Sequence, residues 1–144
     1  MKKRACAFVL CMMMLFSVSA VAAYDPPDSP DASYYIAAYS ANVLNGGNGN
    51  IKVVFSVTGT GVMSSIGASA ISIYKSNGTY VTTIYYFSSG RSGMMGSNKM
   101  YHSDTESIYV GAGSYYALVT FYAGNSSGSD SQTYRTGVRT ITNP

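Results

Sequence analysis

Polar and apolar residues alternate with a period of two over much of this chain, and that period belongs to strands. The cleanest case is Ile51–Thr58, where Ile51, Val53, Phe55 and Val57 alternate with Lys52, Val54, Ser56 and Thr58. The most hydrophobic case is Tyr115–Ala123, in which Tyr115, Ala117, Val119, Phe121 and Ala123 share one wholly apolar or aromatic face. This stretch is predicted to be the central strand, with Tyr116, Leu118, Thr120 and Tyr122 facing outward. Ser33–Val43 reads as the first strand, with Tyr35, Ala37 and Tyr39 on one face. Ala68–Lys75 turns Ile71 and Ile73 inward. In Tyr80–Phe87, Val81 and Ile84 have opposite parity, which a bulge reconciles. Lys99–Val110 is a weaker strand. Gln132–Ile141 is the last, with Tyr134, Thr136, Val138 and Thr140 on one face and Arg135 and Arg139 on the other.

The intervening segments carry turn chemistry. Asn45–Asn50 is rich in Asn and Gly, which tolerate positive φ. Ser76-Asn77-Gly78-Thr79 places Asn-Gly between two strand-like runs, the strongest short hairpin signal. Gly59–Gly67 reads as a loop with Met63 or Ile66 as a core plug. Ser88–Asn98 is a long loop and Gly124–Ser131 a polar one. Val110-Gly111-Ala112-Gly113 followed by Tyr115 resembles the tyrosine corner of immunoglobulin-like sandwiches. About seven strands with no helical periodicity after residue 23 predict an all-β fold, an immunoglobulin/fibronectin-III-like β-sandwich preceded by a signal-peptide helix. The chain lacks Trp, and Ala117 stands where antibody domains have Cys, so the antibody-type core is not expected. A jelly roll is the competing fold and needs one more strand.

The N-terminus changes the meaning of the composition. Met1-Lys2-Lys3-Arg4 is basic, and Ala5–Phe16 is an apolar run of 12 residues, the length of a signal-peptide core and short of a membrane span. Cleavage near Ala23 leaves 121 residues, with residues 24–32 as a Pro- and Asp-rich flexible tail and residues 33–144 as one domain. The +3 of the whole chain belongs to the leader: Lys52, Lys75, Arg91, Lys99, Arg135 and Arg139 balance six acids in the remainder. No basic patch is left for phosphate contacts, which argues against nucleic acid. Cys6 and Cys11 both lie in the leader, so no disulfide is expected, and Leu10 before Cys11 does not fit a lipoprotein. The mature form is therefore read as secreted and extracellular, without membrane attachment. The C-terminal Thr140–Pro144 carries no sorting motif, which points to release into the medium.

Candidate chemistry is sparse. His102, Ser103 and Asp104 are the residue types of a hydrolase triad, but neighbours on a strand point to opposite faces. Asp104 and Glu106 share a face at a spacing that a glycosidase uses, on a strand read as polar and exposed. One His, and no Cys outside the leader, leave no zinc site and no cofactor is implied; the Asn45–Asn50 and Asn125–Asp130 turns offer at most one carboxylate each to calcium. Gly93-Met94-Met95-Gly96 either caps the open end of the sandwich, the favoured reading, or offers an adaptable apolar contact. The tyrosines are the main hint of binding. In the doublets Tyr34-Tyr35, Tyr85-Tyr86 and Tyr115-Tyr116, alternation sends one member inward and the other to water. Tyr74, Tyr116, Tyr122 and Tyr134 are the candidate binding residues, and cross-strand pairing that stabilises the sheet is the alternative use of the same rings.

Tyr34-Tyr35-Ile36, Thr58-Gly59-Thr60-Gly61, Ile66-Gly67-Ala68-Ser69, Ser92-Gly93-Met94-Met95-Gly96, Tyr101-His102-Ser103 and Tyr116–Ala123 together resemble a family of uncharacterised small secreted proteins of Gram-positive, largely gut-dwelling bacteria. The resemblance covers most of residues 33–140. It implies export from a Gram-positive cell and carries over no active site. The expected function is a non-catalytic interaction domain at or near the cell envelope that binds a glycan or protein partner. The alternatives are a small secreted hydrolase using His102 with Asp104 or Glu106, and a subunit that donates its edge strand to an assembly.

Overall fold

The computed structural model describes residues 33–144; the expected leader and cleavage site and the tail over 24–32 lie outside the described residues. Nine strands occupy the described part: β1 (Ile36–Gly47), β2 (Asn50–Met63), β3 (Ser65–Lys75), β4 (Tyr80–Tyr85), β5 (Met95–Gly96), β6 (Lys99–Tyr109), β7 (Gly113–Asn125), β8 (Gly128–Arg135) and β9 (Arg139–Ile141). A short 3-10 turn covers Ser92–Met94. The seven long strands are the expected ones, and the two short ones come from the 88–98 loop and from a break in the last strand.

The strands form two antiparallel sheets. One runs β1-β2-β6; the other follows the path β4-β3-β7-β8, with β5 also beside β3 and β9 also beside β7. Three long strands against four, with β5 and β9 added to the larger sheet, make the all-β sandwich that the alternation predicts. The core lies between the sheets. Ile51, Val53, Phe55 and Val57 of β2 meet Ile71 and Ile73 of β3 and Ala117, Val119 and Phe121 of β7, all fully buried. Phe55 and Phe121 meet edge to face, ring centres 6.2 Å apart. Each such side chain contributes roughly 1.5–3 kcal/mol by leaving water, which is how a sandwich without disulfides holds together.

Tight turns set the registers. Asn48 (φ 54°) and Gly49 (φ 75°) make the two-residue link from β1 to β2, since both central positions of such a hairpin need positive φ. At Asn77-Gly78 the Lys75 amide donates to the Thr79 carbonyl at 2.8 Å. Register shifts decide which side chains face in. The β3–β4 register skips Val81 between Thr82 and Tyr80, so Val81 and Ile84 both pack on the core, as the parity conflict required. The β1–β2 register skips Ala37, which is exposed while Tyr35 and Tyr39 pack on the core. That corrects the expected Tyr35, Ala37, Tyr39 face.

Two expected loops are strand instead: Gly59–Gly67 and, apart from the turn at Ser126-Ser127, Gly124–Ser131. Gly59–Gly67 is the end of β2 and the start of β3, joined through Ser64, and both Met63 and Ile66 are buried. The β2–β6 register shifts after Thr58, where the chain leaves one sheet for the other; such crossings bend rather than loop. Within 88–98, Met94 is fully buried and Met95 half-buried. The last strand breaks at Thr136–Val138. Here the Thr136 amide donates to the Ala117 carbonyl and the Thr136 hydroxyl accepts from the Ala117 amide, each at 2.9 Å. The break changes parity: Arg135 lies opposite Leu118 and faces out, whereas Arg139 lies opposite Tyr115 on the core side. Arg135 and Arg139 therefore do not share a face, contrary to expectation.

Candidate functional site

The outer face of β4-β3-β7-β8 follows from the registers. Tyr74 lies opposite both Tyr80 and Tyr116, Ser72 opposite Thr83 and Leu118, and Leu118 opposite Arg135. One end of this face is a continuous aromatic row. Tyr74 and Tyr116 stack at 5.4 Å with planes 9° apart, Tyr80 meets Tyr74 edge-on at 5.7 Å, and the Arg135 guanidinium lies 3.9 Å above the Tyr116 ring centre. The Tyr80 hydroxyl donates to Thr83 Oγ1 at 3.0 Å, and Thr83 in turn shares a hydrogen bond with Ser72 at 2.8 Å. The ring positions are thus held by packing and by a hydroxyl relay. A second aromatic group stands at the far end of β4, roughly 15 Å away along the strand. There Tyr85 and Phe87 stack at 5.0 Å and Tyr86 meets Phe87 edge-on at 5.4 Å.

The four predicted binding tyrosines divide. Tyr74 and Tyr116 come together. Tyr122 shares their face but stands six residues from Tyr116, roughly 20 Å along β7. Tyr134 belongs to the other side: it pairs with core-facing Val119 and meets Tyr39 edge-on at 6.1 Å. Two doublet expectations fail as well. Tyr116 points outward but is only 8% exposed, because Tyr74 and Arg135 cover its faces. Tyr85 and Tyr86 are both exposed, because β4 stops at Tyr85 and alternation stops with it. The residues that sequence reasoning missed are Tyr80, Phe87 and Arg135. The Asn-Gly hairpin signal pointed toward the Tyr74–Tyr80 pair, but the bulge at Val81 hid the register. Nothing local to β7 or β8 announces that Arg135 sits on Tyr116.

The stripe His102, Asp104 and Glu106 is not an exposed polar face. These residues lie opposite Val57, Phe55 and Val53, so they point to the core side of β6, an edge strand. The 88–96 segment covers them. His102 Nε2–H donates to the Gly93 carbonyl at 2.7 Å, Arg91 pairs with Glu106, and Arg91 also donates to the Ser107 carbonyl at 3.2 Å. A Cβ on Gly93 would stand 3.0 Å from Asp104 Oδ2, and one on Gly96 2.6 Å from His102 Nδ1, so the roof is close and needs glycine. Burial holds the Glu106 carboxyl above its ordinary range; Arg91 pulls it back and Asp104 pushes it further up. Inward charges of this kind keep an edge strand from pairing with another chain.

The Asn-rich turns use their own side chains. Asn45 Oδ1 accepts from the Gly47 amide at 3.1 Å, and Asn125 Oδ1 from the Ser127 amide at 2.8 Å. Asp130 accepts from Ser33 Oγ and the Tyr35 amide, which hold its carboxyl below the usual aspartate range. Among the described residues no group of three or more His, Cys, Asp or Glu is placed to hold a metal ion. No family model matches the chain, and neither a curated protein nor a solved structure matches it.

Proposed function

We propose that this protein is a non-catalytic extracellular binding module that takes an extended glycan along the outer face of β4-β3-β7-β8. The observation that carries this reading is the pairing of two aromatic groups, exposed Tyr80 backed by Tyr74 and Tyr116, and exposed Tyr85, Tyr86 and Phe87, with a hydroxyl-lined floor between them. Sugar rings present C–H faces that stack on aromatic rings and hydroxyl rims that exchange hydrogen bonds with Ser, Thr and Tyr. Ser72, Thr83, Thr120 and Thr133 supply those hydroxyls. Tyrosine gives large contact area at low entropy cost, and this face has already fixed several of its rings. The apolar leader read from residues 5–16 supports action outside the cell.

Other surfaces support less. The outer face of β1-β2-β6 carries a shallow depression of about 370 Å³ whose lining includes Ser40, Ser56 and Ser103 and a single tyrosine, Tyr101. The His102, Asp104 and Glu106 stripe does not favour a hydrolase, because its own loop lies where a substrate would have to sit.

The test is a glycan binding screen on the secreted chain with Tyr80→Ala and Phe87→Ala. Both residues are exposed, so both variants should fold. Binding lost in each variant with an unchanged circular dichroism spectrum supports the reading. Binding to no glycan, or binding that both variants retain, overturns it; capture of a protein partner through the same residues would replace the glycan by a protein.

A further inference from the structure

We propose that this face selects glycans that carry carboxylates, with Arg135 as the group that reads the acid. The inference rests on the glycan reading above and deepens it. By register, Arg135 is the only charged side chain on the outer face of β4-β3-β7-β8 among the described residues. It has no carboxylate partner among the described residues, where the only ion pair is Arg91–Glu106. Its guanidinium is nevertheless held in place over the Tyr116 ring, 3.9 Å from its centre, and Tyr116 is in turn stacked on Tyr74. The cation–π contact restricts the side chain before any ligand arrives, so less of its entropy remains to be lost on binding.

An exposed, pre-set guanidinium without a counter-charge is a complement to a planar oxyanion. A carboxylate carries one charge and two coplanar oxygens, which match the fork with two parallel hydrogen bonds. A phosphate monoester carries more charge than one arginine meets, and by register no second cation stands on this face to help. The rings continue the site. Arg135 ends the row that starts at Tyr80, roughly 14 Å away across the sheet, so a glycan held on the Tyr80 and Phe87 rings brings an acidic substituent or branch at its Tyr80 end within reach of the guanidinium.

The experiment measures the affinity of the secreted chain for acidic polymers and for their carboxyl-reduced, neutral twins: polygalacturonate, alginate and hyaluronan, with a phosphomannan as the phosphate arm. The expected result is at least one acidic polymer bound about tenfold or more tighter than its reduced twin, as a charge-assisted hydrogen bond supplies. The preference should weaken with added salt. Arg135→Ala should bring the acidic polymer down to the level of its twin, and Arg135→Lys should recover little, because an ammonium lacks the fork. Tyr80→Ala should weaken both members of the pair alike. Equal affinity of the native chain for acidic and reduced twins overturns the acid preference and leaves the glycan reading standing. Tighter binding of phosphomannan overturns the choice of carboxylate. Binding to no polymer, acidic or reduced, removes the glycan reading itself.

Discussion

The hydroxyl of Tyr115 donates a 2.8 Å hydrogen bond to the carbonyl of Val110, five residues upstream. The bond closes the turn that delivers the chain into β7, where Gly111 (φ 82°) and Gly113 (φ 150°) take conformations that suit glycine. The same turn is anchored from outside: the Val110 and Gly111 amides both donate to the Gly49 carbonyl, at 2.9 and 3.0 Å. One tyrosine thus joins the β1–β2 hairpin, the turn and the central strand.

Tyr115→Phe keeps the ring and removes that bond. The expected loss is about 1–2 kcal/mol, since the Val110 carbonyl is left short of a partner in a half-buried corner. Urea denaturation of both chains measures it, and an unchanged midpoint would show that the bond adds nothing.

Arg91→Ala should cost about 2 kcal/mol, because it leaves the Glu106 carboxylate 8% exposed without its cation. Glu106→Gln should cost less, since it removes the buried charge itself. The reverse order of the two midpoints at neutral pH would contradict this account. The pH dependence carries its own sign. Glu106 holds its proton more tightly folded than unfolded, so its contribution to stability grows as pH falls through its raised value and is complete below the ordinary glutamate range. Glu106→Gln should abolish that acid-side gain.

Asp130 works in the opposite direction. The Ser33 hydroxyl and the Tyr35 amide favour its charged form, so it stabilises the fold above the ordinary aspartate range and that contribution is lost as pH falls through the lowered value. Asp130→Asn should remove the dependence and free the segment that leads into β1. Hydrogen exchange at the Tyr35 amide reads this directly; unchanged protection in the variant would rule it out.

Gly67→Ala should be destabilising by roughly 1–3 kcal/mol or more, because a Cβ there would lie 2.1 Å from the Met94 carbonyl oxygen and overpack the contact between β3 and the 88–96 segment. Phe121→Ala, which empties a fully buried site, should cost about 3–5 kcal/mol. Thermal melts rank the two, and a Gly67→Ala chain as stable as the native one would mean that the segment does not dock on β3 as described.

Much of the fold is legible along the chain. Ile51, Val53, Phe55 and Val57, and likewise Tyr115 to Ala123 by twos, face the core as their alternation predicts. The Asn77-Gly78 hairpin and the tyrosine corner are also visible, because turn residues act on their own backbone. The candidate site is legible only in part. Tyr74 and Tyr116 share a face by counting along their own strands, but counting put Tyr134 with them and left out Tyr80.

Alternation within one strand, and the backbone demands of Gly, Asn and Tyr at its ends, were settled by the order of residues alone, since both act over a few bonds. Parity across strands was not. One skipped residue at Ala37 or Val81, or the break at Thr136–Val138, exchanges inside for outside for everything beyond it. Tertiary structure also decided that β6 is an edge with its acids turned inward, and that Arg135 comes to rest on Tyr116 nineteen residues away. Those neighbours are chosen by the pairing of distant strands, which no local pattern carries.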